Sequence, residues 1–146
     1  MQQTGANLPF EDRSFDLVIA SHVLEHVEDE RSFLRELARV SRRYVYVEVP
    51  CELHVRSGYS SLQKTLDIGH INSYTPASFA LTLATAGLSI ECLRSFDHSL
   101  AVQSFFSGKP IGALKLAVRS SLLYLSESIA TKMFTYHCGA LCRVGP

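Results

Sequence analysis

Residues 15–27 read Phe-Asp-Leu-Val-Ile-Ala-Ser-His-Val-Leu-Glu-His-Val, and the fold is decided here. The first six are a nearly continuous apolar run with β-branched residues, too short for a buried helix. They predict a strand over 15–20, buried on both faces of a parallel sheet. Asp29 then stands where an N-cap belongs. Beyond it Phe33, Leu34, Leu37, Ala38 and Val40 recur at three- and four-residue spacing with Arg31, Arg35, Glu36 and Arg39 opposite, which predicts an amphipathic helix over 30–41. Residues 43–49, Arg-Tyr-Val-Tyr-Val-Glu-Val, predict a second strand, ending at Pro50 because proline has no N–H for a ladder. Strand, helix and strand in such close succession imply a parallel crossover.

Working outward, residues 1–9 are polar and turn-like, and 11–14 form a charged turn. Residues 51–74 lack a sustained period and hold a short helix near 61–66; a loop this long is usually functional. Thr75 as N-cap, Pro76 at the first helical position and Gly87 just past the end bound a helix over 76–86. Leu88, Ile90, Cys92 and Phe96 alternate with polar neighbours, predicting a half-exposed strand. Residues 110–130 carry one helical apolar stripe, and 133–144 return to a β-like run interrupted at Gly139. The alternation argues for an α/β sheet with helices on both faces, in a single domain over 1–146 without an internal repeat.

Composition narrows the function. The chain has 146 residues, 47% hydrophobic and 19% charged, a globular balance. Lys plus Arg equals Asp plus Glu at 14 each, so no electrostatic footprint for nucleic acid or an anionic membrane exists, and neither partner is expected. Cys51, Cys92, Cys138 and Cys142 are too sparse for a secreted disulfide framework, and no basic segment precedes an apolar run at the N-terminus. A reducing cytoplasm is the expectation. Residues 71–90 are uncharged but too polar for a membrane span.

The stretch 7–49 also carries a family pattern: Leu-Pro-Phe, a charged turn, Ser-Phe-Asp-Leu-Val, then Ser-His-Val-Leu-Glu-His-Val, then Arg-Glu-Leu-Ala-Arg-Val before a β-rich segment. It resembles the class I S-adenosylmethionine-dependent methyltransferases, and the similarity runs on to about residue 96 through Gly-His-Ile-Asn-Ser-Tyr-Thr-Pro at 69–76. The resemblance implies a Rossmann-like α/β sheet with the cofactor at the strands' carboxyl ends, in keeping with the general rule for open α/β sheets. By resemblance, residues 15–20 are the fourth of seven strands, 21–27 the active-site turn and 43–49 the fifth strand. The sheet is thus expected to be incomplete, about strands four to seven with flanking helices, and the N-terminal cofactor-binding half is expected to be missing. No Gly-x-Gly turn occurs anywhere in the chain.

Methyl transfer from a sulfonium needs an in-line acceptor, exclusion of water and in some cases a base for the acceptor's proton. The resemblance makes His26 the candidate base, an imidazole one turn past the strand, with Glu25 beside it to orient the acceptor. Ala6, Asn7, Leu8, Ser21 and His22 are the implied cofactor contacts. Cys51, Glu52 and His54, which open the long loop, and His70, Asn72 and Tyr74, which close it, are the implied acceptor contacts. Asn72 and Tyr74 serve equally well as turn and helix-entry residues. The implied cofactor is S-adenosylmethionine and the implied partner a small-molecule acceptor.

Rival readings come from the same residues. His22-Val-Leu-Glu-His26 matches H-x-x-E-H, a zinc-protease signature that requires a stable helix and a third ligand. Cys138 and Cys142 read as small buried hydrophobes rather than metal ligands, and no metal is expected. The remaining alternative is a non-catalytic fragment or pseudoenzyme whose open sheet edge associates with another chain.

Overall fold

The computed structural model describes residues 7–145, a four-stranded mixed sheet with flanking helices. Strand β1 is Phe15–Ser21, helix α1 Glu30–Val40 and strand β2 Ser41–Cys51; β1 and β2 run parallel, as the crossover pattern requires. Asp29 caps α1 by accepting from the Ser32 N–H, and Phe33, Leu34, Leu37 and Val40 are its buried face. After the loop come α2 (Tyr59–Thr65) and α3 (Pro76–Thr85), the latter capped by Thr75 and terminated by Gly87 at φ +90°. Strand β3 (Ser89–Phe96) leads to α4 (Leu100–Ser107), α5 (Lys109–Leu125) and α6 (Glu127–Met133), and β4 (Tyr136–Arg143) closes the sheet in the order β1-β2-β4-β3, antiparallel to both neighbours.

One face of the sheet buries Ala20, Val45, Val47, Val49, Cys138, Ala140 and Cys142 against Leu34, Leu37, Phe79 and Leu83 of α1 and α3. The expectation of cover on both faces is met only on this one. On the opposite face of β1, Leu17 and Ile19 are exposed, Ile19 by 62%, and β1 is an edge strand rather than a fully buried one. Among the described residues no second strand pairs with its free edge.

Four local expectations are corrected. Strand β2 continues through Pro50 to Cys51, paired with His137 and Tyr136. The Glu48 carbonyl accepts from His22 N–H on the β1 side, and β-strand groups alternate sides, so Pro50 turns its missing N–H toward a neighbour that has already ended. In β3 a bulge between Ile90 and Cys92 shifts the alternation by one residue, turning Leu93 and Ser95 inward and leaving Cys92 exposed. The single helix expected over 110–130 breaks at Ser126, which is extended and caps α6 with its hydroxyl. Strand β4 is uninterrupted at Gly139: a Cβ there would stand 2.4 Å from the Tyr46 hydroxyl, so the glycine lets the phenol lie across the strand. Among the described residues no helix is long and apolar enough to cross a membrane.

Candidate active site

Because β4 runs against the other strands, its first residues lie at the carboxyl ends of β1, β2 and β3, where the side chains with chemistry gather. His22, at φ +55°, turns the chain out of β1, and a 3-10 turn, Leu24–His26, carries it toward α1. The segment is not an α-helix, so His22 and His26 do not share the helical face that H-x-x-E-H chemistry requires, and they enter two different clusters.

The first cluster surrounds His26. Its Nδ1–H donates to the Gly69 carbonyl at 2.8 Å, which leaves Nε2 as the ring's free lone pair. The ring packs edge-to-face on His70, with centroids 4.9 Å apart, and His70 Nδ1 meets the Glu52 carboxylate at 3.1 Å. His26 is exposed, whereas Glu52 and His70 are half-buried. The arrangement is an open imidazole whose Nδ1 is committed to a carbonyl, next to an imidazole–carboxylate pair.

Glu25 is fully buried, with Oε1 accepting from His22 Nδ1 at 3.1 Å and Oε2 unpaired among the described residues. Its backbone carbonyl accepts from Ile71 and Asn72, and Asn72 Nδ2 donates in turn to the carbonyls of Leu24 and Val27 at 3.1 and 2.6 Å. Tyr74 is buried and donates to Glu30 and to the Leu24 carbonyl; burial, with the Glu30 bond, pushes its phenol up. Asn72 and Tyr74 therefore fasten the loop end to the turn, the structural role that their residue types also allowed.

The other sequence candidates are more scattered. Cys51 is buried beside Cys138, and the hydrogen bond between them and desolvation push its thiol up, away from nucleophilic use. His54 accepts from the Arg56 N–H at 3.3 Å and is held low by burial and by the Arg56 charge, outside the His26 cluster. Ser21 and His22 stand exposed at the end of β1. Leu8 bonds through its backbone to Glu36 and Arg39, Asn7 is exposed, and Ala6 lies outside the described residues.

Sequence reasoning passed over Glu48, His98 and His137. His22 Nε2 lies 3.3 Å from Glu48 Oε1, the His22 and His137 rings are 4.9 Å apart, and His98 nitrogens lie 3.0 and 3.2 Å from His137 Nε2. Desolvation, followed by the charges of His98 and His22, pushes the buried His137 imidazole down to about 4, so it is neutral at physiological pH. The available signals were one carboxylate in an apolar strand, at Glu48, and one imidazole in a β-like run, at His137.

The comparisons agree with this architecture. Residues 1–47 match the methyltransferase domain family. Norajmaline N-methyltransferase from Rauvolfia serpentina is 49% identical over 35 residues, which are 24% of this chain and 12% of that enzyme. Geranyl diphosphate methyltransferase, solved in complex with SAM, superposes with a TM-score of 0.65 at 11% identity over 97% of this chain and 55% of its own. A [4+2]-cyclase, SpnF, superposes with a TM-score of 0.60 at 17% identity over 97% of this chain and 54% of its own. The chain thus spans about half the length of these solved structures. Local sequence over the first third of the chain is similar to the methyltransferase domain family, and the fold over nearly all of its length is similar to that of solved S-adenosylmethionine-dependent methyltransferases.

Proposed function

We propose that this chain forms the acceptor side of an S-adenosylmethionine-dependent methyltransferase acting on a small molecule, with His26 taking the acceptor's proton. The observation that carries the reading is the His26 tautomer: Nδ1–H is committed to the Gly69 carbonyl, and Nε2 is open on an exposed ring. His70 and Glu52 stand behind it as a polar wall for the acceptor, and Glu25 acts through His22 rather than on the acceptor itself.

When bound, the cofactor supplies an electrophilic methyl group on a sulfonium. The described residues furnish one wall for it, Ser21 and His22 at the end of β1, and no glycine-rich cradle for its methionine part. Four free thiols among the described residues suit a reducing, cytoplasmic setting.

A second reading has its own observation. The exposed Phe15, Leu17 and Ile19 on an edge strand suit a module that catalyses nothing until another polypeptide covers this face, and the same fold in a [4+2]-cyclase warns against equating fold with methyl transfer. Melting the chain with and without saturating S-adenosylhomocysteine separates the two. Ligand at ~100 times its dissociation constant stabilises by ~2.7 kcal/mol, a shift of several degrees at this size. Such a shift supports autonomous cofactor binding; a cooperative melt without one supports the partner-dependent module.

A further inference from the structure

All four strands deliver a metal-ligating side chain to one end of the sheet: His22 just past β1, Glu48 in β2, His137 at the start of β4 and His98 just past β3. We propose that His22, Glu48 and His137 form a binding site for a zinc-class divalent transition cation, with His98 against His137 at its edge. Two imidazoles and one carboxylate from separate strands are a donor set for zinc and its neighbours in the first transition row rather than for magnesium or calcium. One ligand atom from each lies within 4.8 Å of the others. Bonds of ~2.0–2.2 Å set tetrahedral ligand atoms ~3.3–3.6 Å apart, so the set closes on a cation with inward shifts of ~1 Å.

The supporting contacts are those that hold a metal site's ligands. Glu25, fully buried, accepts from His22 Nδ1, so the neutral ring presents Nε2 to Glu48 at 3.3 Å. Two lone-pair bearers face each other there unless a cation or a second ring proton lies between them. Tyr46 donates to Glu48 Oε2 at 3.1 Å and leaves Oε1 for the site, while Gly139 provides the space for that phenol. His137 is buried, and its Nδ1 has no partner among the described residues. The His22 side chain is 41% exposed, which leaves coordination positions open to solvent. This site shares only His22 and Glu25 with the residues read for methyl transfer, and metal binding does not depend on that reading.

The test strips the full chain of metal and titrates it with Co2+ as an optical probe, then with Zn2+, at neutral pH. The expected result is one Co2+ per chain with visible absorption of a low-coordinate site, displaced by equimolar Zn2+ and unaffected by Mg2+. Zn2+ should also raise the melting temperature of the chain. His22→Asn, whose side chain tolerates the left-handed backbone, and Glu48→Gln each weaken binding by about 100-fold or more, and Tyr46→Phe by about 10- to 100-fold. The proposal is overturned by an absence of Co2+ and Zn2+ binding, or by unchanged binding in His22→Asn and Glu48→Gln. Loss on His70→Asn with binding intact in Glu48→Gln moves the metal to the Glu25, His26 and His70 cluster and equally overturns it.

Discussion

Gly69 adopts φ +82° and offers its carbonyl to His26 Nδ1, while a Cβ on the same residue would stand 3.2 Å from that nitrogen. One residue thus sets the tautomer of the candidate base and leaves room for its ring. Gly69→Ala is expected to cost about 1–2 kcal/mol through the left-handed backbone and, in a complete methyltransferase domain, to lower turnover by pushing the imidazole aside. In a complete methyltransferase domain His26→Ala is expected to cut turnover by about 100-fold or more, while leaving the melt nearly unchanged, since the ring is exposed. Turnover in His26→Ala equal to the parent removes His26 from the role of base.

Gly139 and Tyr46 are coupled across β2 and β4. Gly139→Ala drives a methyl group to 2.4 Å from the Tyr46 hydroxyl and 3.0 Å from its ring, and is expected to destabilise by about 1–3 kcal/mol. Combining it with Tyr46→Phe relieves the nearest contact, so the two changes should be less than additive in denaturant melts. Strict additivity contradicts the stacking of that phenol over the glycine.

Asn72 ties the loop end to the turn after β1 with two bonds to main-chain carbonyls. Asn72→Ala is expected to cost about 1–3 kcal/mol and to increase amide exchange over residues 66–74, because Ile71 and Asn72 also donate to the Glu25 carbonyl. Unchanged exchange there means that Tyr74 and the main-chain bonds to the Glu25 carbonyl hold the loop end without the Asn72 side chain.

Glu36 gives the fold a pH dependence. The Arg39 hydrogen bond and then the Leu8 N–H hold its carboxyl below the ordinary glutamate range, near ~4.3. A depressed folded-state value contributes stability above the unfolded pKa and loses it as pH falls through the folded one. Glu36→Gln should therefore melt lower than the parent at pH 7, with the difference closing below about pH 4. A gap that does not narrow at all as the pH falls below the ordinary glutamate value assigns the loss to packing instead.

Local chemistry made much of this legible in advance. Asp29, the apolar stripe of α1 and the Thr75, Pro76 and Gly87 signals bound two helices within a residue or so, because caps and periodicity are properties of consecutive residues. The β-bulge at Glu91, the break at Ser126 and the passage of β2 through Pro50 were not legible, since each depends on what the neighbouring element offers. The exposed Ile19 belongs with them: its apolar character speaks for cover, and cover is a tertiary matter.

The sequence by itself determined the parallel strand–helix–strand unit, the family resemblance and His26 as the candidate base, all carried by residues close together in the chain. Only the tertiary structure brought His70 and Glu52 to His26, spent Asn72 and Tyr74 on holding the turn, and gathered His22, Glu48, His98 and His137 into one cluster. Those residues are spread over more than 100 positions, and no spacing rule links them. They meet because β4 runs antiparallel between β2 and β3, which sets the start of one strand beside the ends of the others.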